Sequence, residues 1–75
     1  MKQSLLEKAK AIPQRQIKAV NQEDLELVRA WLKNEVSTNQ FTMARFGDRR
    51  FISATYSLII RAVKLMMTDG SLKLN

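Results

Sequence analysis

The chain has 75 residues, 45% of them hydrophobic, and thirteen Lys/Arg against seven Asp/Glu give it a formal charge of +6. That length and apolar content fit one small folded domain with a single modest core. Cys and His are both absent, which excludes a disulfide framework or thiolate zinc site and removes the usual general base and the commonest metal ligand.

In chain order, Ser4-Leu5-Leu6-Glu7 reads as a capping box, with Ser4 as N-cap and Glu7 three positions on. It predicts a helix over 4–12 whose apolar side is Leu5, Leu6, Ala9 and Ile12, ended by Pro13. The following QRQIKAV reads equally as linker or as a further helical turn. Asn21 is the next N-cap, with Glu23 and Asp24 in the first turn, where the helix dipole favours acids. Leu25, Val28, Leu32 and Val36 then form one stripe with Trp31 beside it, predicting a helix over 22–36.

Ser37 or Thr38 caps a short helix, 38–46, expected to turn Phe41, Ala44 and Met43 inward. Gly47 suits the left-handed position that lets the chain turn sharply. A long helix over 51–67 follows, ended by Thr68-Asp69-Gly70, and SLKLN is a tail long enough for one strand at most. The expected fold is therefore all-α. It is a single four-helix domain over 1–75, made of a basic N-terminal helix or arm (1–20), a core (21–67) and a short tail (68–75).

Charge is unevenly spread. Residues 1–20 carry five Lys/Arg against one Glu, residues 21–36 two against four acids, and residues 37–75 six against two. Much of the last group lies on or before the long helix. At about 100° per residue, Arg50, Ser53, Ser57, Arg61 and Lys64 share one narrow polar arc. Ile52, Tyr56, Ile59, Val63 and Met66 form an apolar stripe widened by Phe51, Leu58, Ala62 and Leu65, so this helix is expected at the centre of the domain. Short Ser53 and Ser57 permit close backbone approach to a surface, while Arg and Lys neutralise phosphate and Arg reads guanine edges.

Signals for other chemistry are missing. No Gly-rich phosphate loop, nucleophile elbow or HExxH helix occurs, and Glu23, Asp24 and Glu26 are explained by the dipole rather than as catalytic carboxylates. No catalytic residue, metal ligand, cofactor or small-molecule substrate is expected. The longest apolar stretch, 56–67, is broken by Arg61 and Lys64 and falls short of the roughly 20 residues of a membrane span. The N-terminus lacks the apolar core of a signal peptide, so the expectation is no membrane and a cytoplasmic protein, nucleoid-associated in a prokaryote.

A helix, a short helix, a glycine turn and a long helix with a basic face together resemble the helix-turn-helix DNA-binding fold over about residues 22–67. Gln40-Phe41-Thr42-Met43-Ala44-Arg45-Phe46-Gly47 stands as second helix and turn, and Arg49 to Lys64 as turn exit and recognition helix. Met43 occupies the position four before the turn glycine where that family sets a small residue, and Ser53 stands where another apolar residue is usual. The resemblance implies a non-enzymatic protein of transcription regulation or DNA architecture that binds double-stranded DNA. Its base-reading surface would be Arg49, Arg50, Ser53, Ala54 and Ser57. Its phosphate contacts would be Ser37, Thr38, Asn39 and Arg45, with Arg61 and Lys64 reaching backbone farther out.

Other readings stand beside this one. The arginines at 45–50 also suit an ordinary solvated turn. Trp31, Phe41, Phe46 and Tyr56 have the helical spacing of core residues rather than of stacking platforms for single strands. Residues 1–20 either dock through Leu5, Leu6 and Ile12, with Lys8, Lys10, Arg15 and Lys18 outward, or lie along DNA as a basic arm. A homodimer is expected, using Ile60 and Met67 or the N-terminal helix. The competing function is a helical protein-interaction module or a subunit of a larger assembly.

Overall fold

A computed structural model describes residues 2–13, 15 and 20–70, the first two by their backbone alone. Within these the fold is all-α. It comprises α1 (Lys2–Ala11), α2 (Gln22–Leu32), α3 (Thr38–Phe46), a short 3-10 turn (Arg49–Phe51) and α4 (Ile52–Asp69). Residues 14 and 16–19, Lys18 among them, and the considered tail strand at 71–75 lie outside the described residues.

Local chemistry explains most boundaries. The Asn21 side chain accepts from the Asp24 amide at 2.8 Å, opening α2. Ser37 opens α3 through a reciprocal box: its hydroxyl accepts from the Gln40 amide (3.1 Å) while the Gln40 side chain accepts from the Ser37 amide (2.7 Å). Gly47 (φ 72°) and Gly70 (φ 80°) close α3 and α4 in the left-handed region, where a side chain would be strained.

Three helices have bounds that differ from those the sequence predicts. The first helix spans 2–11, not 4–12, so Ser4 is a helical residue and its capping box does not form; Lys2 and Gln3 are good helix formers with no stop signal between them and Ser4. Glu7 approaches Lys10 instead, at 3.9 Å. The second helix ends at Leu32, not 36. Asn34 adopts φ 63°, and the amides of Asn34 and Glu35 donate back to the carbonyls of Trp31 and Ala30 at 3.1 and 2.8 Å, a complete Schellman closure. Val36 still packs against the core, but from the connecting loop. The fourth helix spans 52–69 rather than 51–67, entered through the 3-10 turn that Asp48 caps.

The core is Leu5 and Ala9 of α1, Val28 and Trp31 of α2, Phe41 of α3, and Leu58, Ile59, Ala62, Val63 and Met66 of α4. Helix α4 touches each of the other three helices, as its broad apolar arc requires. The stretch Arg49–Asp69 has the length and apolarity of a membrane span, which corrects the shorter 56–67 read from the sequence, and about a third of it (33%) is buried within the fold. Ile52 and Phe51, expected in the apolar arc, are exposed, and the buried positions of α4 begin at Thr55.

Helix α3 is rotated from its expected phase. Phe41 and Thr42 are fully buried, while Met43 and Ala44 face water. Opposite Thr42 sits Thr55, their hydroxyl oxygens 2.7 Å apart and both residues fully buried. Thr42 also lies 2.8 Å from the Thr38 carbonyl, and Thr55 lies 3.1 Å from the Phe51 carbonyl. Two hydroxyls hold two hydrogens for three contacts. The shorter pair of distances gives a chain in which Thr55 donates to Thr42 and Thr42 donates to the Thr38 carbonyl. No buried side-chain N or O among the described residues lacks a partner.

Candidate functional site

The ten residues the sequence singles out fall into two groups. In the first, each side chain already has a partner. Arg45 lies on the inner arc of α3, in register with Thr38, Phe41 and Thr42. Its Nε meets the Asp24 carboxylate at 2.9 Å, with the Asp24 side chain only 9% exposed. The same guanidinium lies 5.1 Å from the centre of the Phe46 ring. Arg45 thus joins α3 to α2 instead of standing free for phosphate.

Arg50 is exposed but bound to Asp48, with Nη2 and Nε at 2.6 and 2.9 Å from one carboxylate oxygen and its amide at 2.9 Å from the other. The Arg50 guanidinium, and secondarily its amide, hold the Asp48 carboxyl below its ordinary value of 3.8. The Ser37 hydroxyl caps α3. The Thr38 hydroxyl accepts from Trp31 Nε1 at 3.1 Å and lies 3.4 Å from the Tyr56 hydroxyl. Trp31 and Tyr56 meet edge to face at 6.3 Å. This cluster fixes the start of α3 against α2 and α4. Arg61 curls back so that its Nε donates to the Ser57 carbonyl at 3.3 Å.

The second group is turned outward. Arg49, Ser53, Ser57 and Asn39 are exposed and Lys64 is partly so; neither Arg49 nor Lys64 forms an ion pair among the described residues. Between Arg49 and Thr68 the sequence has no acidic residue. The solvent-facing arc of α4 is therefore a strip of hydroxyls and cations, bounded by Asp48 and Asp69 at its two ends. Helix α1 runs along one flank of that strip. Ser4, Leu5 and Lys8 face Ser53, Tyr56, Ser57 and Ile60 across a groove, with the half-buried Tyr56 and Ile60 against buried Leu5. Lys8, Lys10 and Arg15 are exposed, which extends the positive surface beyond α4.

At the head of the strip, Arg49 through Ser53 are five consecutive exposed residues. Phe51 stacks on Phe46 with ring centres 5.7 Å apart. Sequence reasoning placed Phe51 and Ile52 inside and so missed this projecting end. The available signal was Asp48, a capping residue that starts the turn before the helical stripe begins. No group of three or more acidic side chains that could hold a metal ion occurs among the described residues. Comparison with protein-family models, with curated proteins and with solved structures returned no match for this chain.

Proposed function

We propose that the chain is a small non-enzymatic protein that binds duplex DNA, as a regulatory or architectural factor, through the outer arc of α4. One observation carries this reading: the strip of exposed Arg49, Ser53 and Ser57 and partly exposed Lys64, with no acidic residue from 49 to 68. A helix of this kind meets phosphates with its cations and lets its backbone approach a groove over its serines. The α3–turn–α4 arrangement, with the leading end of α4 projecting, supports a helix-turn-helix use of that surface.

In this reading Arg49 and Lys64 are the primary contacts. Arg50 and Arg61 can be recruited from their present partners, and Arg45 serves the fold. Lys8, Lys10 and Arg15 add sequence-independent attraction. Two copies pair on the DNA, with Ile60 and Met67 offering a second copy only what their packing on the core leaves open. The same proposal carries a cytoplasmic location, nucleoid-associated in a prokaryote.

Salt titration of binding to a mixed-sequence duplex tests it. Each phosphate neutralised adds about −0.9 to the log–log slope, so three or four contacts predict a slope of roughly −3. A slope near zero, or no retention on duplex at all, contradicts the proposal. Light scattering of the complex tests the pairing, and a single copy on its preferred duplex contradicts that part.

A second reading, a helical module that binds another protein, is favoured by one observation: Met43, Phe51 and Ile52 are 48%, 46% and 39% exposed. Binding of an acidic protein partner with indifference to duplex would select it.

A further inference from the structure

Exposed large apolar side chains at the head of α4 call for an explanation that folding does not provide. Phe51 and Ile52 are two of the three large hydrophobics so exposed among the described residues, and the core closes behind them at Thr55, Leu58 and Ile59. Stacking on Phe46 holds the Phe51 ring in place while nearly half of its surface stays in water. Arg49, exposed beside them, is the one arginine of this turn without a carboxylate partner among the described residues. An arginine flanked by fixed apolar groups matches a surface that is anionic and also carries small apolar groups. In the major groove of a duplex the base edge offers one such group, the C5-methyl of thymine.

We infer that Phe51 and Ile52 pack against thymine C5-methyl groups in the major groove, making the head of α4 a reader of thymine-containing steps. The inference rests on the duplex-binding reading above and deepens it by naming what is read. A helix that enters the groove by its N-terminal end brings its first residues to the base edges, and these are the residues that project here. The same contact selects DNA over RNA. Uracil lacks the methyl, and the A-form major groove is too narrow for side chains to read. If Phe51 instead served as a wedge between base pairs from the minor groove, the methyl would make no difference.

The test uses the full chain and sequences it enriches from a random duplex pool, resynthesised with deoxyuridine in place of thymidine. Binding is expected to weaken by about fourfold for each methyl buried. The Phe51→Ala/Ile52→Ala chain is expected to bind both forms alike while keeping its salt dependence and its helical circular dichroism. Ile52→Ser alone, the milder change, should lose part of the discrimination. Equal binding of the two forms by the unsubstituted chain overturns the inference and leaves duplex binding intact. Discrimination that survives in the double variant overturns it as well. Failure to enrich any duplex removes the duplex-binding reading itself, and the inference with it.

Discussion

Where α3 and α4 cross, Thr42 and Thr55 are fully buried and each hydroxyl hydrogen has an acceptor. At the turn that joins the same two helices and in the first two residues of α4, Arg49 to Ser53 are exposed, two of them large hydrophobics. The crossing uses polar atoms to fix the helices against each other, and burial makes each such atom costly to leave unpaired. The turn spends apolar surface on solvent, which folding does not reward. One region is committed to the fold, and the other is held by the fold for something outside it. Substitutions in the two regions should therefore separate stability from binding.

The largest effect belongs to the committed side. Phe41→Ala empties a fully buried aromatic site at the contact of α3 with the core and should cost about 3–5 kcal/mol. That is much of the stability of a domain this small. Loss of a cooperative thermal transition near the original midpoint checks it, and a shift of only a few degrees would mean that α3 is not integral to the core.

The Asp24–Arg45 pair comes next, and its two halves should differ. Arg45→Ala leaves a carboxylate that is 9% exposed without its partner, a loss of about 1–3 kcal/mol. Asp24→Asn leaves a guanidinium that can turn to water, because Arg45 is 42% exposed, and should cost about 1 kcal/mol or less. Urea midpoints of the two variants decide this. The reverse order would place Arg45 on the binding side of the comparison.

Smaller still is the threonine pair. Thr55→Val keeps the shape and leaves Thr42 bonded to the Thr38 carbonyl, so about 1 kcal/mol is expected. The Thr42→Val/Thr55→Val chain should be nearly as stable as the original, because both buried hydroxyls are then gone. Additive losses would show that the hydroxyl chain stabilises more than the matching apolar contact does.

The smallest effect lies in the turn. The carboxyl of Asp48 has its pKa lowered by Arg50, so its contribution is present above the unfolded value of 3.8 and is lost as pH falls through the lower folded value. A carboxyl titration followed by NMR should find Asp48 ionised below the usual carboxylate range, and Arg50→Ala should return it toward 3.8.

The sequence shows the helix cap at Asn21, places the next at Ser37 or Thr38, and shows the glycine stops at 47 and 70, because each depends on a few neighbouring residues; the structure selects Ser37. The early end of α2 is less legible. Val36 continues the apolar period, while Asn34 closes the helix by a backbone conformation that periodicity does not register. Thr55 was hidden for another reason. It lies in the middle of the buried arc of α4, and its shortest hydroxyl contact is to Thr42, thirteen residues earlier on another helix.

Arg45 could have been found, since it follows Thr38, Phe41 and Thr42 at helical spacing and so lies on their face. Ser53, Ser57 and Lys64 of the polar strip were legible because they recur at one helical period, whereas Arg50 and Arg61, expected in the same arc, turn to Asp48 and to the Ser57 carbonyl. The exposure of the leading end of α4 was not legible, because that depends on how far the neighbouring helices reach along α4.

The most direct test of the account pairs two measurements on Arg49→Ala: melting temperature and affinity for duplex DNA. The melting temperature is expected within about 2 °C of the original, since an exposed charge adds little to folding. Binding is expected to weaken by about 5- to 150-fold, the loss of one base or phosphate contact worth about 1–3 kcal/mol. If the contact is to phosphate, the salt slope should become shallower by about one. Unchanged duplex binding together with a lowered melting temperature would contradict the account, placing Arg49 in the fold and the function of the chain elsewhere.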